Sequence, residues 1–227
     1  MAQPLTDAIN ALTRYANEVT GQSDTNLSDA VRTLCDGYGG GEKIKEIVEG
    51  SITEFIDDTI TIIRPNAFAH CERLKTLICH NVTSVGNGAL NSSAAEWAVS
   101  PLVDVALPKL TALSGYTMQN WRKLGKLDLT ACTTLGSNRG MENCWWLTVL
   151  VLRNPAVVTL GNTNVFTNTP FAGRGGKTAD LYVPADLLAD YQSDSNWSTI
   201  LTKGYTTIHT IEGSAYENSY VDGTPIE

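Results

Sequence analysis

An α/β repeat fold is what this sequence predicts, on three observations. A short apolar signature recurs as Leu74-x-x-Leu77-x-Cys79, Leu102-x-x-Val105-x-Leu107, Leu124-x-x-Leu127-x-Leu129 and Leu147-x-x-Leu150-x-Leu152, with a degenerate copy at Thr178-x-x-Leu181-x-Val183. Its central positions, 77, 105, 127, 150 and 181, stand 28, 22, 23 and 31 residues apart. A second signature alternates with it: Ile62…Ala67-Phe68, Val85…Ala89-Leu90, Leu113…Thr117-Met118, Leu135…Gly140-Met141 and Leu160…Val165-Phe166. A period in the low twenties built on L-x-x-L-x-L is that of a leucine-rich-repeat solenoid, in which each unit buries its apolar side against its neighbours. The expectation is about five such repeats of short strands and convex helical turns, between an N-terminal helical pair and a C-terminal helix-strand cap.

Each element has its own reason. Leu5, Ile9, Leu12, Ala16 and Val19 are spaced 4, 3, 4 and 3 residues apart, a heptad-like helical stripe that Gly21 ends. A second helix is expected near 27–36, capped by Thr25 or Asn26, with Leu27, Ala30, Val31 and Leu34 on its apolar face. Residues 1–36 thus form an attachment or oligomerisation segment, and Gly37, Gly39, Gly40 and Gly41 make 37–43 a hinge. The β-branched stretch through Ile44, Ile47, Val48, Ile52, Phe55, Ile56, Ile60 and Ile62 reads as short strands capping the open end of the array. The repeat domain with its caps covers 44–212, its repeats about 59–183. In each second signature a small residue before a large one suits a tight convex helical turn. The insertions NSSAAEWAVSP and TNTPFAGRGGKTAD should be loops on one face. The cap, 184–212, opens with Pro184 ahead of a helix bearing Leu187, Leu188 and Tyr191; Trp197, Ile200 and Leu201 extend its apolar cover, and Tyr205, Ile208 and Ile211 suggest a closing strand. Residues 213–227 read as a loosely held polar tail.

Composition narrows the function classes. A net charge of −8 with no cluster of Lys and Arg argues against nucleic acid. No apolar run is long enough to span a bilayer. The start, MAQPLTDAIN, has neither a basic region nor an apolar core, so no secretory signal is expected. Of the five cysteines, Cys71 and Cys144 fall at equivalent repeat positions and Cys79 on an inward strand position; they read as small buried thiols, while Cys35 and Cys132 carry no pattern.

The repeats resemble the BspA-like subclass of leucine-rich repeats, whose pattern is roughly V-T-S-I-G-x-x-A-F-x-x-C-x-x-L-x-x-L-x-L-P. VTSVGNGAL at 82–90 matches the front half, and LYVPADLLADYQSDSNWSTI resembles the C-terminal cap of that family; the likeness covers about 44–212. Residues 15–41, YANEVTGQSDTNLSDAVRTLCDGYGGG, are similar to short modules in tail and baseplate-associated proteins of phages and prophages infecting Gram-positive bacteria. NTNVFTNTPFA and YVPADLLADY are likewise similar to segments of repeat proteins encoded by such phages. Cellular BspA-like proteins usually carry a signal peptide, so the expected absence of one here favours the phage resemblance. The sequence departs from the pattern at Trp121, which stands where the family prefers Cys, and at Trp145 and Trp146, which replace a small polar pair. Arg139 and Gly140 replace the usual approach to the convex turn.

Little in the chain suggests catalysis. There is no nucleophile elbow, Walker A motif, H-E-x-x-H or dinucleotide fingerprint, so no enzyme and no cofactor is expected. His70-Cys71 and Cys79-His80 place four zinc-type ligands within eleven residues, but the inward cysteines have packing roles, and no metal is expected. Asp57 and Asp58 read as solvated turn residues, and Gly173-Arg174-Gly175-Gly176-Lys177 as a flexible insertion loop. The outward rows Ile78, Ala106, Asp128, Val151, Tyr182 and His80, Pro108, Thr130, Arg153 announce no ligand.

The tryptophans are the sharper signal. Trp145 aligns with Arg122 and Glu72, and Trp146 with Lys123 and Arg73, which makes this loop solvent-facing; Trp97 lies in an insertion on the same edge, and Trp121, one residue earlier, is expected to be half-buried. Trp97, Trp121, Trp145 and Trp146 are the expected contacts for a sugar or a protein. The function expected is non-catalytic: a virion-localised tail-associated protein that recognises a host cell-surface protein or glycan. The resemblance implies other tail or baseplate proteins as partners, and the stripe of Leu5, Ile9, Leu12, Ala16 and Val19 suits either a bundle with the second helix or a homotrimeric seam. A purely structural baseplate or decoration protein is the alternative, and a bacterial adhesin the second.

Overall fold

The computed structural model describes residues 51–218 except 66, 69, 70, 72, 90–101, 114, 137 and 138, together with the backbone of 220, 221, 224 and 225. The helical stripe of Leu5, Ile9, Leu12, Ala16 and Val19, the glycine hinge and Trp97 lie outside the described residues.

Each first signature becomes a short strand whose central apolar residue points inward while its neighbours face out. β1 (Glu54–Ile56), β3 (Thr76–Ile78) and β5 (Asp104–Ala106) form one parallel sheet, with Phe55, Leu77 and Val105 in register. β7 (Lys126–Leu129), β9 (Val149–Leu152), β11 (Ala179–Val183) and β12 (Thr206–Thr210) form another, with Leu127, Leu150, Leu181 and Ile208 in register. β1 shows that Ile52-x-x-Phe55 is a further copy of the signature and pairs laterally with the next. It escaped the pattern because Asp57 stands at its last apolar position.

The intervening segments make a second parallel ladder. β2 (Ile62–Ile63), β4 (Ser84–Val85), β6 (Ala112–Leu113), β8 (Thr134–Leu135) and β10 (Thr159–Leu160) follow one another in repeat order. Ile63, Val85, Leu113, Leu135 and Leu160 are buried from this side, so the inward residue of the first copy is Ile63 and not Ile62.

This corrects the expected fold class. The α/β leucine-rich-repeat solenoid with convex helical turns is replaced by a structure of mainly parallel strands in three sheets. Among the described residues, α-helix is confined to two short segments, α1 (Leu188–Ser193) and α2 (Ser195–Leu201). The described residues around Phe68, Met118 and Met141 are non-helical turns, and among the described residues only Thr163–Phe166 winds into a 3₁₀ turn at an expected convex position. The cause is where the amides bond. Phe68 N donates to Ala89 O (2.8 Å), Met118 N to Gly140 O (2.8 Å) and Met141 N to Val165 O (3.1 Å), each in the next repeat. A segment of four or so residues cannot repay helix nucleation, whereas a lateral bond to a packed neighbour carries no such cost.

One core runs between the two ladders. It contains Cys71, Cys79, Cys132 and Cys144, all free thiols. Burial raises them from an ordinary value of 9.0 to about 11 for Cys71 and Cys132 and about 12 for Cys79 and Cys144. Above pH 9 the unfolded chain loses thiol protons that the folded chain keeps. Stability is therefore expected to fall as pH rises through about 9 to 11, with little change below that window. Thermal melts followed by circular dichroism across that range check this; a flat profile would contradict the burial of the thiols. The same four thiols should resist a thiol reagent near pH 8 until the chain unfolds.

The C-terminal cap closes this core. Tyr191 on α1 and Trp197 on α2 are fully buried, their rings edge-on 5.5 Å apart. Tyr191 Oη accepts from Val158 N (2.9 Å), and Trp197 Nε1 donates to Val158 O (2.8 Å), so the cap holds both sides of one residue of the last repeat. Asp194 N-caps α2, accepting from Asn196 N and Trp197 N at 3.0 Å. Asp194→Ala should cost about 1 kcal/mol, read as a shift in the urea midpoint with unchanged slope.

Candidate functional site

Three loops enter the N-terminal ends of β7, β9 and β11, and a ladder of asparagines sets their spacing. Asn143 Nδ2 donates to Asn120 Oδ1 (2.9 Å), and Asn168 Nδ2 donates to Asn143 Oδ1 (2.8 Å). All three have positive φ, of 69°, 62° and 61°, a backbone region that asparagine tolerates better than other residues with a Cβ. Their recurrence in repeat register is visible in the sequence, and the expectations above missed it. Asn143→Ala removes both rungs and should lower stability by about 1–3 kcal/mol, measured by denaturant unfolding.

Register puts like on like. Trp121 and Cys144 directly follow Asn120 and Asn143, and both point into the core. Trp121 is 2% exposed, which removes it from the expected contact residues. It fills the inward slot that Cys71 and Cys144 fill in their own repeats. The next residues, Arg122 and Trp145, stack: the Arg122 guanidinium carbon is 3.9 Å from the Trp145 ring centroid. Arg122 was expected to mark a solvated loop position, yet it is buried beneath this ring.

The loop before β11 is longer, and its extra residues return to the same place. Phe171 is buried and stacks on Phe166, with centroids 4.7 Å apart. Gly173 then turns the chain at φ +78°, and a Cβ there would lie 2.5 Å from Tyr205 Cε2. This turn carries Arg174 to 3.7 Å from the Trp145 centroid and Lys177 Nζ to 3.0 Å from that of Trp146. Two guanidinium groups so close to one centroid cannot share a face, so Trp145 is sandwiched. The segment 173–177 is thus not a free insertion loop but the roof of the tryptophan pair. Gly173→Ala, strained in φ and blocked by Tyr205, should displace that roof. The expected readout is a red shift and quenching of tryptophan emission at little cost to the secondary structure seen by circular dichroism.

Trp145 is half-buried, with its Nε1 covered and lacking a hydrogen-bond partner, while Trp146 is 56% exposed. Burial, and then the Arg122 charge, lower the Arg174 guanidinium below its usual value. Among the described residues no carboxylate pairs with Arg174 or Lys177. The edge therefore combines an open indole with unneutralised cations. Of the four expected contact residues, the structure brings Trp145 and Trp146 together, buries Trp121 and does not describe Trp97.

The outward strand rows are less bland than their residue types suggest. Tyr182 stacks on His209 (4.9 Å, 22°) and meets Tyr216 edge-on (4.6 Å), while His209 Nε2 pairs with Asp180 (2.8 Å). Arg153 makes two 2.9 Å bonds to Asp128 and donates to the Tyr216 carbonyl. The start of the polar tail is thus packed on this face, and Val151 beside it is buried. At the other end Asp58 accepts from the His80 ring and amide at 2.8 Å, which holds its carboxyl below the usual range. Cys71 and Cys79 lie in the core, and among the described residues no three His, Cys, Asp or Glu side chains converge on a metal-sized site.

No protein-family model, curated protein or solved structure matches the chain. Among the described residues, no helix is long and apolar enough to cross a membrane.

Proposed function

We propose that this chain is a non-catalytic, tail-associated protein of a phage or prophage of Gram-positive bacteria, which recognises a host cell surface through the edge formed by Trp145 and Trp146. One observation carries the reading: a 56% exposed Trp146 stands beside a Trp145 clamped by two arginines, on loops tied together by the asparagine ladder. An exposed indole on a rigid frame loses little freedom on binding, which is the property of a contact anchor. The side chains gathered there are indole, guanidinium and ammonium, a set suited to holding a ligand. The resemblance of residues 15–41 to tail and baseplate modules supports attachment to a virion through the N-terminal segment.

Binding of the purified chain to a panel of intact Gram-positive cells tests this. Trp146→Ala alone, and together with Trp145→Ala, should lower cell binding by about tenfold or more, equivalent to at least about 1.4 kcal/mol. Unchanged binding removes the edge from the reading. Loss of particle association with cell binding intact would favour the structural alternative.

A further inference from the structure

We infer that the ligand of this edge is an anionic saccharide, a sugar ring bearing phosphate or carboxylate, held with the ring against Trp146 and the anion against Arg174 and Lys177. The inference rests on the proposed role of the tryptophan edge as a contact surface, and it adds the ligand class.

Three features lead to it. In a chain of net charge −8, Arg122, Arg174 and Lys177 meet on two adjacent indoles. Two like charges flank one ring, and among the described residues neither Arg174 nor Lys177 has a carboxylate partner, so these two cations lack a counter-charge that an anion would supply. Guanidinium and ammonium groups bind phosphate and carboxylate through charge-assisted hydrogen bonds. The open part of Trp146 adds a flat apolar surface matched to the C–H face of a pyranose ring, which a free anion would not use. Clamped from both faces, Trp145 is committed to holding Arg174 in place and leaves the stacking role to Trp146. A long nucleic acid fits less well: its affinity grows with the number of phosphates neutralised, and an acidic chain repels those beyond the Arg174 and Lys177 patch.

The test is titration of the full chain with four small probes, followed by tryptophan fluorescence and calorimetry. The probes are methyl glucoside 6-phosphate, methyl glucuronide, neutral methyl glucoside and inorganic phosphate. One or both charged sugars should bind about tenfold more tightly than the neutral sugar and than inorganic phosphate. Which of them does so separates phosphate from carboxylate. The advantage should shrink several-fold between about 50 and 500 mM NaCl. Arg174→Gln/Lys177→Gln should abolish the preference for charge; Lys177→Gln, a change at the surface, should reduce it even if the double variant folds poorly. Trp146→Ala should bring the charged sugar down to the level of inorganic phosphate. Binding of both charged sugars no tighter than the neutral sugar overturns the inference, as does a failure of both to exceed inorganic phosphate. A dinucleotide that binds more tightly than the charged sugars also overturns it. If Trp146→Ala abolishes cell binding while the charged sugars show no advantage, only the ligand class fails. If Trp146→Ala leaves cell binding intact, the contact surface itself fails.

Discussion

Trp197→Ala should cost about 3–5 kcal/mol and open the C-terminal end of the core. Trp197 is fully buried, 6.0 Å from the Phe166 ring and 5.5 Å from Tyr191, and it bonds Val158 O. Truncation combines three losses: a cavity the size of an indole, an aromatic pair, and a carbonyl left without its donor. Their consequence extends beyond the cap, because a stack of repeats is stable only while its ends are covered. Chemical denaturation reads the loss, and Trp197→Phe separates its parts. Phenylalanine restores most of the volume but not the bond, so it should retain more than half of the lost stability. If Phe and Ala variants were equally unstable, the Val158 bond, and not packing, would dominate.

Arg153→Ala should cost a similar amount, about 3–5 kcal/mol, because it takes a two-bond cationic partner away from the buried Asp128 carboxylate. The two side chains are 11% and 2% exposed, so solvent screens the pair little. Arg153 also holds the Tyr216 carbonyl, so its loss should free the tail from Tyr182. Asp128→Ala/Arg153→Ala removes both charges and should be less destabilised than Arg153→Ala alone. Proteolysis within 212–218 should accelerate in both variants. A double variant as unstable as the single one would assign the cost to the tail contact and not to the lost Arg153–Asp128 pair.

The particular residues explain how far sequence reading reached. Leu77, Val105, Leu127, Leu150 and Leu181 are interior positions in their recurring frame, and the structure aligns them laterally as parallel strands. The cap helix and closing strand were legible because Pro184, Tyr191, Trp197 and Ile208 carry local signals. The helical turns were misread because a small-large pair such as Thr117-Met118 has the same apolar spacing in a helix and in a laterally bonded turn. Only the partner of the amide separates the two. Trp121 was misread for a different reason: it was grouped with Trp145 and Trp146 on one edge, yet it lies one position earlier, in the inward slot that Cys144 fills in the next repeat. The roof formed by 173–177 was beyond reach, since nothing local reveals that Gly173 will fold against Tyr205.

By itself, then, the sequence determined the recurring frame and the central inward residues of the strands from Leu77 to Leu181, because periodic burial is written in residue order. Only the tertiary structure decided that the second segments bond sideways, that Arg122 and Arg174 close on Trp145, and that Arg153 pins the tail. These depend on contacts between residues 22 to 63 positions apart, and no local propensity records what will stand opposite a side chain once the repeats have stacked.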